Sequence, residues 1–119
     1  MNTACTIYKT ADFIGKRWTL LILLELYKGE QSSRRYGQLK ESLPGITAKM
    51  LSERLKELEK QGMVKKEIDA ESMPVRCDYT LTKSGAEFVD VIKQMKEWAL
   101  KWKFDNKKCE STECENCKF

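Results

Sequence analysis

Hydrophobic residues recur along this chain first with a helical period, then with an alternating one, then with a helical period again. From Thr3 to Ile14, Ile7, Ala11 and Ile14 share one helical face, which predicts a short amphipathic helix interrupted at Gly15. In the run Lys16 to Tyr27, Trp18, Leu21, Ile22, Leu24 and Leu26 leave almost no side polar. A helix of that kind belongs at the centre of a small domain, and Gly29 is placed to cap its end. A polar stretch, Gln31 to Arg35, separates it from Tyr36 to Leu43, where Tyr36, Leu39 and Leu43 line one face. Pro44-Gly45 forces a turn, because the residue before proline avoids the helical region and glycine adopts conformations closed to other residues. Thr47 then caps a helix running to about Gln61 and closed by Gly62. Its inward stripe is Leu51, Leu55 and Leu58, and a wide polar surface is left over.

The period changes after Gly62. Val64 to Ile68 and Arg76 to Thr82 read as two short strands; in the second, Cys77, Tyr79 and Leu81 alternate with Arg76, Asp78 and Thr80. Between them Asp69 to Val75, with Pro74, reads as a hairpin tip. Thr82 caps a last long helix, Lys83 to about Phe104, with Phe88, Val91, Ile92, Met95, Trp98, Ala99 and Trp102 along one broad apolar face. The pattern predicts a mainly α fold with a small β-hairpin, an α+β domain over residues 1–104, followed by a cysteine-containing tail over residues 105–119.

Composition narrows what such a domain does. With 119 residues the chain has room for one domain, and 41% hydrophobic with 34% charged residues suits a soluble, helix-rich one. The longest apolar run, Leu20 to Leu24, is far short of the roughly 20 residues that span a bilayer. The N-terminus lacks the ordered regions of an export signal, so a cytoplasmic location without membrane attachment is expected. The formal charge of +4 is uneven: residues 105–119 hold three Lys against four acidic residues, which leaves +5 for residues 1–104. A mildly basic body suits an anionic partner such as DNA phosphate, although many domains without such a partner share it. Histidine is absent, so Ser-His-Asp and Cys-His pairs and imidazole bases are excluded, which removes those classes of enzyme mechanism.

Two helices joined by a tight turn and followed at once by a two-stranded hairpin are the order of a winged helix-turn-helix domain. Cys5 to Leu24 (CTIYKTADFIGKRWTLLILL), Tyr36 to Gly62 (YGQLKESLPGITAKMLSERLKELEKQG) and Pro74 to Gly85 (PVRCDYTLTKSG) resemble, in order, the three signature segments of HxlR-type regulators in the MarR-like superfamily. The resemblance implies transcription regulation by a homodimer that binds double-stranded DNA, with the helix Thr47 to Gln61 in the major groove and the hairpin as a wing. Physical chemistry points the same way, since the helix N-terminus around Thr47 to Lys49 offers free N–H groups and a positive dipole end to phosphate. Lys49, Ser52 and Glu53 are the candidates for reading bases, and Arg54 and Lys56 for phosphates. Lys65 and Arg76 flank the hairpin tip as further phosphate contacts; Arg17, Arg34 and Arg35 are weaker candidates. Dimerisation through the first and last helices is a further implication, and it would use the surplus apolar face of the last helix.

The five cysteines are Cys5, Cys77, Cys109, Cys114 and Cys117. Cys5 stands where the signature resembling this one begins with a cysteine that in some members responds to oxidants, and helix N-termini favour reactive thiols. Cys77 reads as core packing. The tail spacing C-x4-C-x2-C leaves several readings open: zinc or an iron-sulfur group on Cys109, Cys114 and Cys117 with an outside fourth ligand, redox sensing by a Cys114–Cys117 disulfide, or inert thiols. Two other functions compete with DNA binding: a winged-helix protein-interaction module, and a CxxC thiol-disulfide oxidoreductase, which lacks the expected βαβ surroundings.

Overall fold

The computed structural model describes residues 1–117; the final two positions of the tail, 118 and 119, lie outside the described residues. The elements run α1 (Thr6–Ile14), α2 (Thr19–Lys28), β1 (Ser33–Arg35), α3 (Tyr36–Ser42), α4 (Ala48–Lys60), β2 (Val64–Asp69), β3 (Arg76–Leu81), α5 (Lys83–Trp102) and α6 (Lys107–Glu110). The strands form one antiparallel sheet in the order β1-β3-β2, with Arg34 opposite Tyr79 and Val64 opposite Leu81. β2 and β3 are the expected hairpin.

The core gathers Ile22, Leu23 and Leu26 of α2, Leu39 of α3, and Leu51, Leu55 and Leu58 of α4, with Tyr79 and Leu81 of β3 and Val89 of α5 closing it. Both predicted threonine caps form: Thr47 Oγ1 accepts from the Met50 amide at 3.1 Å, and Thr82 Oγ1 from Gly85 at 3.3 Å. Each holds a helix start that would otherwise leave its first N–H groups unpaired.

Four local readings differ from the sequence pattern. The first helix begins at Thr6, with Cys5 as its N-cap, and α2 begins only at Thr19, because Trp18 holds a left-handed conformation at φ 81°. For a bulky residue that conformation is strained by about 1–3 kcal/mol and has to be fixed by its surroundings. Gly29 caps α2 as expected, its N–H donating to the Leu26 carbonyl, but in an extended conformation at φ −70° rather than a left-handed one; a side chain there would overlap the Ser33 carbonyl, so its smallness lets the chain fold back onto α2. The polar stretch contains a strand, β1. Glu25 anchors it: Arg34 Nε donates to the Glu25 carbonyl at 2.7 Å, and the nearly buried Glu25 carboxylate meets Lys28 at 3.1 Å and Arg34 at 3.9 Å. Two cations compensate that buried charge. In α5, Ile92 belongs to the domain's own core together with Val89, while Val91, Met95, Trp98 and Trp102 stay exposed.

The tail folds back. Cys114–Asn116 forms a single 3-10 turn that packs against α2, and Cys114 is buried there. The radius of gyration, 15.4 Å, exceeds the roughly 13.5 Å of a compact domain this long. No helix among the described residues is long and apolar enough to cross a membrane.

Candidate nucleic-acid interface

The turn Leu43 to Thr47 sets the angle between α3 and α4. Gly45 takes φ 86°, and Ile46 drops into the core behind it. At 3.6 residues per turn, the buried stripe Leu51, Leu55 and Leu58 leaves Lys49, Glu53, Lys56 and Lys60 on the opposite side. All four are exposed. This outward face carries three cations and one carboxylate.

The sequence-selected residues on α4 separate into two groups. Lys49, Glu53 and Lys56 lie on the outward face, and Thr47 is the cap at its N-terminal end. Ser52 faces α3, where its Oγ lies 3.2 Å from the Tyr36 hydroxyl; that hydroxyl also donates to the Ala48 carbonyl at 3.0 Å. Tyr36, read from the sequence as a core-facing residue, is therefore the strut that fixes the start of α4 against α3. Arg54, expected on phosphate, is half-buried on the flank of the core. Its Nε donates to the Arg17 carbonyl at 3.0 Å, tying α4 to the junction of α1 and α2. Arg54 sits three residues past Leu51 and four before Leu58, and that spacing is the sequence signal of an inward position.

The wing presents Lys65 and Arg76 at its exposed margins. Lys65 Nζ is 2.8 Å from Glu67, and Arg76 Nε is 2.9 Å from Asp78. Such exposed pairs contribute only about 0–1 kcal/mol, so a phosphate can replace the carboxylate with little loss. The tip is ordered by Asp69, which accepts from Ser72 Oγ at 2.7 Å and from the Glu71 amide at 3.1 Å. The hydrogen bond from Ser72 is the main reason its carboxyl is held below the usual carboxylate range. Arg34 is committed to Glu25, whereas Arg35 is exposed and lines, with Arg76, the cleft between the start of α3 and the wing. Arg17 lies 5.0 Å from the centre of the Trp18 ring.

Residues 13–107 match the HxlR-like helix-turn-helix family. The chain belongs to that family. YodB of Bacillus subtilis (strain 168), an HTH-type transcriptional regulator, is 39% identical over 99 residues, 82% of this chain and 85% of its own. Its reduced form superposes on this fold with a TM-score of 0.72 at 35% identity, over 86% of this chain and 97% of that one. The redox regulator HypR in its oxidised form gives 0.73 at 30% identity, over 84% and 99%. A protein assigned to the MarR family of transcriptional regulators, from Porphyromonas gingivalis W83, gives 0.74 at 31%, over 84% and 94%. The HxlR-like chain is thus a winged helix-turn-helix transcriptional regulator, and its relatives are regulators rather than enzymes.

The HxlR-like match stops at residue 107, before the tail cysteines. All five cysteines are thiols. Among the described residues no three His, Cys, Asp or Glu side chains gather in a geometry that would hold a metal ion, so Cys109, Cys114 and Cys117 are not assembled as a ligand set for zinc or an iron-sulfur group. Cys114, the leading thiol of the CxxC, is buried, which does not suit the exposed nucleophile of an oxidoreductase. Cys77 is half-buried against the core, as expected of a packing residue.

Proposed function

We propose that this regulator is a homodimer that binds double-stranded DNA sequence-specifically, with α4 in the major groove and the β2–β3 wing on the flanking backbone. The observation that carries this reading is the uncovered outward face of α4, Lys49, Glu53, Lys56 and Lys60, held rigidly by Tyr36 at one side and Arg54 at the other. Lys49 and Glu53 read base edges near the helix start, and Lys56, Lys65, Arg76 and Arg35 neutralise phosphates. Ser52 and Arg54 act through the position of α4.

The second copy covers an apolar surface that one chain leaves open. Trp98 is 56% and Trp102 65% exposed on α5, and Ile7 is 72% exposed on α1, which buries none of its own residues. Aromatic anchors of this kind dominate association energies, and isologous pairing places two α4 helices about one DNA turn apart. Cys5, the half-buried N-cap of α1, lies at the foot of this arm, where oxidation of its thiol would reach the dimer contact. YodB has been solved both reduced and after diamide treatment.

Selection of bound sequences from random duplexes, followed by affinity measurements at two salt concentrations, tests the reading. A two-part site with half-sites about one turn apart, and affinity that falls steeply with salt, is expected. A folded chain that binds no duplex even at low salt would instead favour a protein-interaction module. Diamide should change the affinity of the parent chain but not of a Cys5→Ser variant.

A further inference from the structure

The apolar stripe of α5 and the tail occupy opposite sides of one helix. At 3.6 residues per turn, Val91, Met95, Trp98 and Trp102 point one way and Lys93, Lys96 and Leu100 the other. Beyond Ile92 the domain core ends, and on that second side the tail takes over. Lys96 Nζ donates to the Thr112 carbonyl at 2.8 Å. The Glu115 carboxylate accepts from the Tyr27 hydroxyl at 2.8 Å and lies 3.5 Å from Lys93 Nζ, which itself donates to Tyr27 at 2.9 Å. Between these polar ties Cys114 is buried against α2.

Cys114 and Cys117 stand at the two ends of this turn. The Cys117 amide donates to the Cys114 carbonyl at 3.2 Å, closing a four-residue turn. Such a turn brings its end Cα atoms within about 7 Å, at the edge of the roughly 4.4–6.8 Å that a disulfide spans. Cys117 is half-buried whereas Cys114 is buried, so an oxidant meets Cys117 first.

We infer that Cys114 and Cys117 form a second thiol site, separate from Cys5, which a hydroperoxide converts to an intrachain disulfide that undocks the tail. The Cys117 sulfur attacks the O–O bond and becomes a sulfenic acid, and the alcohol leaves with the thiol proton. The Cys114 sulfur then displaces water from that sulfenic acid. Two thiols supply the two electrons that reduce the peroxide to one alcohol and one water. Forming the S–S bond takes the Cys114 sulfur out of its packing against α2, and Glu115, inside the closed ring, leaves Tyr27 and Lys93. Release of the tail bares the second side of the half of α5 that carries Trp98 and Trp102. Any effect on assembly rests on the dimer reading above, but undocking does not.

The full chain, reduced and then treated with cumene hydroperoxide, is assayed for disulfides by peptide mass mapping and for tail release by trypsin cleavage after Lys107 and Lys108. The expected result is a Cys114–Cys117 bridge and severalfold faster cleavage than in the reduced chain. A Cys117→Ser chain should stay slowly cleaved in hydroperoxide, whereas Lys93→Gln should be cleaved quickly even when reduced. Failure to find the bridge, or a bridged tail cleaved no faster than the reduced one, overturns the inference. A Lys93→Gln tail as protected as the parent's would overturn the docking on which it stands. Neither readout involves DNA or a second chain, so this site and the DNA-binding reading can fail separately.

Discussion

In α4 the buried Leu51, Leu55 and Leu58 are backed by Lys49, Glu53, Lys56 and Lys60; in α5 the buried Gly85, Val89 and Ile92 are backed by Val91, Met95, Trp98 and Trp102. Both helices bury one stripe in the same core and begin at a threonine cap. The difference lies on the side that the core does not need. A charged surplus face has a favourable partner in water already and gains a further one only in an anionic duplex, whereas an aromatic surplus face stays unfavourable until something apolar covers it. On the proposed reading, two helices of one small domain thereby divide recognition from assembly.

The sharpest way to break this division is at α5. Trp98→Glu combined with Trp102→Glu should weaken self-association at least a hundredfold, about 3 kcal/mol, in sedimentation experiments, while the circular dichroism of the fold is retained. An unchanged sedimentation coefficient would remove the stripe from the interface. On α4, Lys49→Ala and Lys56→Ala should each weaken duplex binding about tenfold and reduce the salt slope by about one unit. Arg54→Ala should behave otherwise: a loss of about 1–2 kcal/mol in denaturant unfolding, from the severed bond to Arg17, with little change in slope. If its slope falls like that of the lysines, Arg54 returns to the phosphate contacts.

The smallest expected effect concerns the tail. The Tyr27 hydroxyl, with Lys93 beside it, holds the Glu115 carboxyl below its ordinary 4.5, so ionised Glu115 favours the docked form. That contribution is complete above the ordinary carboxylate range and is lost as pH falls through the lowered value. Amide protection from Thr112 to Cys117, corrected for intrinsic exchange, should therefore drop on acidification below about pH 4. Glu115→Gln should show lower protection at neutral pH and no acid step.

How far the sequence revealed this arrangement depended on how local each determinant is. The helix-turn-helix and the hairpin were legible because periodicity, caps and Pro44-Gly45 act within a few residues of one another. β1 was not, since Ser33, Arg34 and Arg35 have no apolar alternation and become a strand only by pairing with Thr80, Tyr79 and Asp78. Ile92 looked like part of the surplus face because a broad apolar arc does not say where the core stops. The tail's docking was hidden for a stronger reason: Glu115 and Tyr27 stand 88 positions apart, and their bond follows from the fold rather than from any spacing. Of the α4 residues picked from the sequence, Lys49, Glu53 and Lys56 lie on the exposed outward face, whereas the bracing roles of Tyr36 and Arg54 were missed.

Trp18 and Arg54 together give the molecule a gear. The left-handed residue Trp18 makes a fixed elbow between α1 and α2, and the arginine hangs α4 from the carbonyl immediately before that elbow. On the proposed reading, a twist applied to α1 reaches the recognition helix through that hydrogen bond together with the packing of Phe13, Ile14 and Trp18 on the core.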